Sequence, residues 1–280
     1  MIAARNVLAF ARLELADALR SKWVALTGAL YGAVFVAFLW LGLRESSVLG
    51  FTGLSRVLLN VSNAVVLALP LVVLIASSQV VVRARTSGLF ELLLSQSCRR
   101  AEWFAGMLAA RTLVLLAPLA LVVLAAFSAT PLLGRDEALL AVAARSFAVA
   151  AALVWAFLGI GVLISTASRT AERAIVFALL AWAIASALHD FALIGLLLHT
   201  RLPPRLVFLL AALNPSESAR IGIFTSVDPE LSVLGPVGFW IANDLGPARA
   251  LAVAIGWPLL LGTGSLLLAG RSLARADLVA

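Results

Sequence analysis

The chain has 280 residues and a formal net charge of +7; 63% of its residues are hydrophobic and 12% are charged. Soluble domains carry about 25% charged residues, so this composition excludes an ordinary soluble domain and predicts one transmembrane domain over residues 1–280. The single cysteine, Cys98, excludes a disulfide framework and a multi-cysteine metal site. The single lysine, Lys22, does not follow a glycine, which excludes ATP hydrolysis in a P-loop.

Residues 1–22 are predicted to form an amphipathic helix that lies in the membrane interface. No small-residue cleavage site follows the first apolar run, so a cleavable signal is not expected. An amphipathic start with no special role is the alternative. The apolar side of the helix comprises Val7, Leu8, Ala11, Leu15, Ala18 and Leu19.

Six apolar runs are each long enough to cross a hydrocarbon core of about 30 Å, which takes roughly 20 helical residues. The predicted fold is therefore an all-α membrane protein with six transmembrane helices. The predicted spans are residues 23–43, 57–82, 104–127, 147–166, 174–198 and 251–269.

The basic residues of the loops predict the orientation of the chain. If the N-terminus is cytoplasmic, most of them fall in cytoplasmic segments, whereas the outer segments hold basic and acidic residues in balance. This is the positive-inside pattern, and an even number of spans places the C-terminus in the cytoplasm as well. The charge of +7 is therefore not interpreted as a nucleic-acid footprint.

A cytoplasmic coupling region is predicted at residues 83–103, between the second and third spans. It contains a short apolar run that cannot cross a bilayer, with Leu89, Leu92 and Leu93 at helical spacing. A surface helix with one apolar face is expected to dock on another protein; a solvated charged face is the alternative. The candidate contact residues are Arg83, Arg85, Ser87, Gly88, Glu91, Leu92, Leu93, Ser95, Arg99 and Arg100, with Ser168, Arg169, Glu172 and Arg173 from a second cytoplasmic loop at residues 165–173.

Residues 82–107 resemble the region after the second span of type-2 ABC transporter permeases. The matching residues are Arg85, Ser87-Gly88, Glu91-Leu92-Leu93-Leu94-Ser95, Arg99-Arg100 and Gly106. Gln96-Ser97 stands where that family often has a proline, and Arg83-x-Arg85 stands where it usually has Glu-x-Glu. The resemblance implies a non-enzymatic permease subunit that is moved by a separate cytoplasmic ABC ATPase subunit at both cytoplasmic loops.

Residues 200–249 form the predicted periplasmic loop, a short helical segment between the fifth and sixth spans. Residues 205–213 are apolar but too few to cross, which indicates an interfacial or re-entrant helix. Asn214-Pro215-Ser216-Glu217 has the composition of a helix start. So much apolar surface must pack on the spans or on a partner. The candidate partner contacts are Asn214, Glu217, Arg220, Phe224, Asp228 and Glu230.

Residues 213–240 are similar to the permease of the Nos-type ABC transporter, which supports copper-site maturation of nitrous oxide reductase in denitrification. This likeness implies a bacterial inner-membrane protein, embedded in lipid, that forms a homodimer with two ATPase subunits. It also implies a periplasmic β-helical accessory protein. A simple cap on the bundle is the alternative role of the outer segment.

Candidates for chemistry are few. His189 and Asp190 lie near the outer end of the fifth span and His199 ends it, but neighbours in a helix point in different directions. A ligand or metal role and a plain interface position both remain open for them. Zinc-protease and nucleophile-elbow motifs and acidic metal clusters are absent from the sequence, so no cofactor or resident metal is expected.

The sequence thus predicts the permease subunit of an ATP-driven transporter, which couples cytoplasmic ATP hydrolysis to transport or mechanical transmission at the periplasmic face. A secondary transporter is one alternative, although that class usually shows internal repeats and charges at mid-membrane. A membrane anchor for a periplasmic protein is the other. The cargo is left open among sulfur species, copper-related cargo, lipid and mechanical work alone.

Overall fold

A computed structural model describes residues 3–20, 66–95, 98–133, 137–200, 202–227, 231 and 235–275, and the regular elements within these ranges are all helical. The all-α prediction is confirmed for this part of the chain. The elements are α1 (Ala4–Arg20), α2 (Val66–Thr86, with a turn at Ser78 and Gln79), α3 (Leu89–Ser95), α4 (Arg100–Leu133), α5 (Glu137–Ala167), α6 (Ala171–His199), α7 (Pro204–Leu213), α8 (Pro215–Val227), α9 (Gly235–Trp240) and α10 (Pro247–Arg275).

Five helices in the described ranges are long and apolar enough to cross a membrane: Val66–Thr86, Arg100–Leu121, Ala141–Ala167, Ala171–His199 and Pro247–Arg275. Each overlaps one of the predicted second to sixth spans. A helix satisfies its own backbone hydrogen bonds, as a lipid environment requires. The predicted first span, residues 23–43, lies outside the described residues, so a total of six remains a prediction.

The centre of the bundle is the contact between α5 and α10. Gly159 of α5 and Gly262 of α10 bring the two backbones so close that a Cβ atom built at Gly159 would lie 2.4 Å from the carbonyl oxygen of Gly262. Small residues allow this close approach between membrane helices. The indole Nε1 of Trp155 donates a hydrogen bond of 3.0 Å to Thr263 Oγ1 beside the contact.

The N-terminal helix α1 packs along the first turns of α4 and runs in the same direction. Gly106 of α4 faces the backbone oxygen of Val7 and the Cβ of Phe10. The packed side of α1 therefore includes Phe10, whereas Leu8, which the sequence placed on the apolar side, is 53% exposed. The predicted amphipathic helix is present, with its apolar face rotated toward α4.

Helices α7 and α8 follow one another in the chain between α6 and α10, with Asn214 between them. Each begins with a proline at its first helical position, where the missing N–H group costs nothing. Helix α8 is buried against α5 and α10, because Gly222 sits where a Cβ atom would meet Ala254 and Val149 at 2.7 and 2.9 Å. Of the two predicted placements for this segment, packing on the spans is what the structure shows.

Candidate functional site

One end of the bundle brings together the two segments that were predicted to contact an ATPase. At this end, called the basic end below, α2, α5 and α10 finish and α4 and α6 begin. The guanidinium of Arg85 donates to the backbone oxygens of Thr166 and Ser168, both at 3.4 Å. Residues 83–103 and 165–173 are thus neighbours in space, although about eighty positions separate them in sequence.

A hydroxyl of α5 holds the last part of α2. Helix α2 is interrupted at Ser78 and Gln79, and the restarted helix presents N–H groups without partners inside the helix. The Oγ of Ser165 accepts hydrogen bonds from the N–H groups of Val81 and Val82 at 3.0 and 3.2 Å. The segment that leads into the coupling region is therefore fixed to α5.

Helix α3 is the predicted coupling helix, and it is present as a separate element. The chain turns into it through Gly88, whose φ of +71° lies in the left-handed region that favours glycine. Phe90 is 1% exposed and packs edge-on against Trp103 of α4, with ring centroids 4.9 Å apart. This aromatic pair anchors α3 to the bundle.

The faces of α3 differ from the sequence prediction. Leu89, Leu92 and Leu93 were expected to share one apolar docking face, but Leu93 is 5% exposed and Leu92 is 57% exposed. Leu93 turns inward with Phe90 because the aromatic contact sets the rotation of the helix. Among the α3 side chains whose exposure is described, the exposed ones are Glu91, Leu92 and Ser95, and these are called the exposed face of α3.

The other residues predicted to contact the ATPase differ in how far they are exposed. Ser168 is 2% exposed, and it acts in the fold through its backbone oxygen, which Arg85 contacts. Arg100 donates to the backbone oxygen of Leu273 at 3.3 Å, where a cation suits the carbonyl end of α10. Exposed residues are Arg83, Ser87, Arg99, Arg169, Glu172 and Arg173, and partly buried residues are Arg85, Gly88 and Arg100.

A carboxylate that the sequence analysis did not single out fastens α1 to α4. Glu102 is 2% exposed, and its oxygens accept hydrogen bonds of 2.8 Å from both Ala3 N and Asn6 Nδ2. It also accepts from Arg99 N at 3.2 Å, three residues earlier, as in a helix capping box. Arg99 stands where a capping box has Ser or Thr, so the sequence carries only the glutamate half of that signal.

A second charged contact lies farther along the same two helices. Arg111 Nη2 of α4 is 3.6 Å from Glu14 Oε2 of α1, and Arg111 Nη1 donates to the backbone oxygen of Ala76 in α2. Burial raises the pKa of Glu14 above its ordinary value, although Arg111 acts in the opposite direction. Helix α1 is thus held to the bundle near both of its ends.

The residues predicted to meet a periplasmic partner are placed inside the bundle. Asn214, Glu217 and Phe224 are 6, 9 and 4% exposed, and the side chain of Arg220 is 24% exposed. These side chains are internal because α8 packs between the spans. The prediction had instead placed them at a surface that meets a partner. Asp228 and Glu230 lie outside the described residues.

These buried polar groups form contacts with α6. Arg220 Nη1 is 2.5 Å from Glu217 Oε1 and 3.4 Å from Asp190 Oδ2. His189 Nδ1 is 3.9 Å from Asp190 Oδ1, and its Nε2 lies 3.2 Å from the backbone oxygen of Leu210. His199 stays apart from this group and contacts the oxygen of Gly195 in its own helix at 2.8 Å.

Comparisons with known proteins point to one family. A family model described as an ABC-2 family transporter protein matches residues 8–237. The chain is 27% identical over 260 residues to the "Probable ABC transporter permease protein NosY" of Stutzerimonas stutzeri. This alignment covers 90% of this chain and 91% of that protein. It is 28% identical over 262 residues to the protein of the same name from Pseudomonas aeruginosa, with 88% and 95% covered.

Proposed function

This chain belongs to the ABC-2 family of transporter proteins, and from that premise we propose that it is the permease subunit of an ATP-driven transporter. Hydrolysis takes place on a separate cytoplasmic ATPase subunit, because the chain has no P-loop lysine. The observation that carries this proposal is the basic end, where both predicted coupling segments lie side by side, joined by the contacts of Arg85 with Thr166 and Ser168.

The contact surface of the ATPase is the exposed face of α3 together with the exposed arginines around it. Leu92 supplies the apolar contact, and Glu91 and Ser95 flank it. Four exposed arginines belong to the same two coupling segments, so the matching surface of the ATPase is expected to carry acidic groups. They are Arg83, Arg99, Arg169 and Arg173.

The same contacts explain how a push on α3 would reach the spans. Phe90 and Trp103 join α3 to α4, and Arg100 joins the start of α4 to the end of α10. Ser165 joins α2 to α5. Four span candidates therefore meet the coupling surface through short, mostly buried contacts, so its displacement moves them together.

The finer role that we propose is participation in copper-site assembly of nitrous oxide reductase. Its support is the likeness of residues 213–240 to Nos-type permeases and the name that both relatives carry. The proposal includes the bacterial inner membrane, six spans with both termini in the cytoplasm, a second copy of the chain and a periplasmic β-helical partner. In the outer segment, Phe239 of α9 is 70% exposed and offers that partner a surface that Phe224 does not.

The test of the coupling surface is a single substitution, Leu92→Asp. A leucine buried in an interface contributes about 1.5–3 kcal/mol, so its replacement should weaken ATPase binding by at least about tenfold. The chain is co-expressed with a candidate ABC ATPase subunit from the same organism, and the complex is measured by affinity purification from membranes. The matched control is Leu8→Asp, which changes a leucine of similar exposure, 53%, on α1.

Both variants should insert in the membrane at the parental level, because neither leucine is buried in the bundle. Leu93→Asp should instead lower the yield of folded protein, since Leu93 lies in the core. A Leu92→Asp variant that still retains the ATPase at the parental level would refute the assigned surface. A chain that brings down no ATPase even when unchanged would favour the membrane-anchor alternative.

A further inference from the structure

One arginine is shared by two carboxylates at the joint between α8 and α6. Arg220 Nη1 lies 2.5 Å from Glu217 Oε1 and 3.4 Å from Asp190 Oδ2. The three side chains are 24, 12 and 29% exposed, so water screens them only in part. The single positive charge of Arg220 cannot balance both carboxylates when both are ionised.

The two pairs have different structural consequences. Glu217 and Arg220 are three residues apart on α8, so their contact stays within one helix. Asp190 belongs to α6, so its contact with Arg220 links two elements. Of these two ion pairs, only the one between Arg220 and Asp190 holds α8 to α6.

Helix α6 is irregular beside this cluster. Residues Ile184–Leu188 form a π-helical turn immediately before His189 and Asp190, and such turns often mark functional positions. The side-chain amide of Asn214, one residue before α8, donates to the backbone oxygen of Ala185 at 2.6 Å. The charged cluster and this amide therefore join α8 to the same short, irregular stretch of α6.

The charged groups that lie close to the carboxyl of Glu217 are Arg220 and Asp190. His189 from α6 reaches Asp190 and the backbone of Leu210. Among the side chains of these elements whose exposure is described, the other charged ones are exposed: Glu172 and Arg173 on α6, Arg205 on α7, Arg145 on α5, and Arg249, Arg271 and Arg275 on α10. Burial raises the pKa of Glu217 to about 7, with Asp190 acting in the same direction and Arg220 against it.

We propose that Glu217 is a proton-binding residue that controls whether Arg220 pairs within α8 or across to Asp190 of α6. When Glu217 is protonated, Arg220 is left to Asp190 and α8 is held to α6. When Glu217 loses its proton, its carboxylate competes for Arg220 and the link between the helices weakens. The contact between Arg220 and Asp190, which joins α8 to α6, is therefore stronger at lower pH. This inference does not depend on the ATPase surface.

The sign of the pH effect follows from the direction of the shift. The pKa of Glu217 in the fold is above its ordinary value of 4.5. The stability contributed by its proton is therefore complete below about pH 4.5 and is lost as the pH rises through about 7. The parent protein should be less thermostable at pH 8.5 than at pH 5.5, and we expect a difference of roughly 5 °C.

The test compares Glu217→Gln with the parent in detergent at these two pH values. Glutamine imitates the protonated carboxyl, so the variant should keep nearly the same melting temperature at both. Glu91→Gln is the matched control, because Glu91 is an exposed carboxylate on α3 and its replacement should leave the parental pH response unchanged. An unchanged pH response in Glu217→Gln would overturn the proposal.

A second measurement covers the case in which the glutamine variant folds poorly. The infrared band of a protonated carboxylic acid, followed by pH titration, should disappear near pH 7 in the parent. In Asp190→Asn, Arg220 serves Glu217 alone, so the band should disappear at a lower pH. The proposal fails if the parent lacks a band that titrates near neutrality or if Asp190→Asn leaves its midpoint unmoved.

Discussion

A methyl group at Gly159 has no room at the contact between α5 and α10. Built there, the Cβ atom lies 2.4 Å from the carbonyl oxygen of Gly262 and 2.8 Å from its Cα. Cβ contacts in proteins essentially never fall below 3.0 Å, so the two backbones must separate by about 0.6 Å at this point. Both obstructing atoms belong to the backbone, and no side chain can rotate away to relieve the clash.

The expected cost of Gly159→Ala follows from two opposing effects. Overpacking of a close contact costs about 1–3 kcal/mol. Replacing a helical glycine by alanine recovers about 0.5–1 kcal/mol, because the unfolded chain loses conformational freedom. The net loss should be about 1–2 kcal/mol, which corresponds to a melting temperature roughly 3–6 °C lower in a chain of this size.

The assay is thermal unfolding of the purified protein in detergent, followed by tryptophan fluorescence. Gly264→Ala is the matched control on α10, because a Cβ atom there has no neighbour within 4 Å. That variant should melt at or slightly above the parental temperature. If Gly159→Ala melts as high as Gly264→Ala, the backbone contact between α5 and α10 is not as close as described.

Two further substitutions test how the coupling region is held. Ser165→Ala removes the acceptor for the N–H groups of Val81 and Val82. Leaving these groups unpaired should lower the free energy of unfolding by about 1–3 kcal/mol, measured by thermal unfolding. Ser165→Thr keeps a hydroxyl at this position and should retain most of the stability. Gly88→Ala places a Cβ atom at a φ of +71°, which costs about 1 kcal/mol and turns α3 away from its anchor. It should weaken co-purification of the ATPase, and parental binding by this variant would contradict the role of the turn.

The spans were predictable because long apolar runs leave few alternatives to a membrane helix. The rotation of α3 was not, because five of its seven residues are apolar and periodicity does not single out one face. The contact between Phe90 and Trp103 decides the rotation, and those residues are thirteen positions apart in the chain. The inward position of Leu93 therefore depends on tertiary packing.

The interior position of α8 was hidden for a different reason. Its sequence mixes polar and apolar residues without one clear apolar face, and Glu217 and Arg220 were predicted to contact a partner at the surface. Inside the bundle Arg220 contacts both Glu217 and Asp190. A sequence shows the charged residues but not whether their partners lie at a surface or in a core. Gly222 was the informative residue, since only a glycine allows α8 to reach Val149 and Ala254.

Helices α5 and α10 connect the basic end with the region around α8. At the basic end they are joined to α2 through Ser165 and to α4 through Leu273. Farther along, the same pair encloses α8 at Gly222. The close contact at Gly159 lies between these two levels, on one of two routes from the basic end to the charged joint; the other is α6, which begins at the basic end and carries Asp190. Under the proposed coupling to an ATPase, separating the two backbones at Gly159 should weaken transmission along α5 and α10 to α8 even under conditions where the protein remains folded.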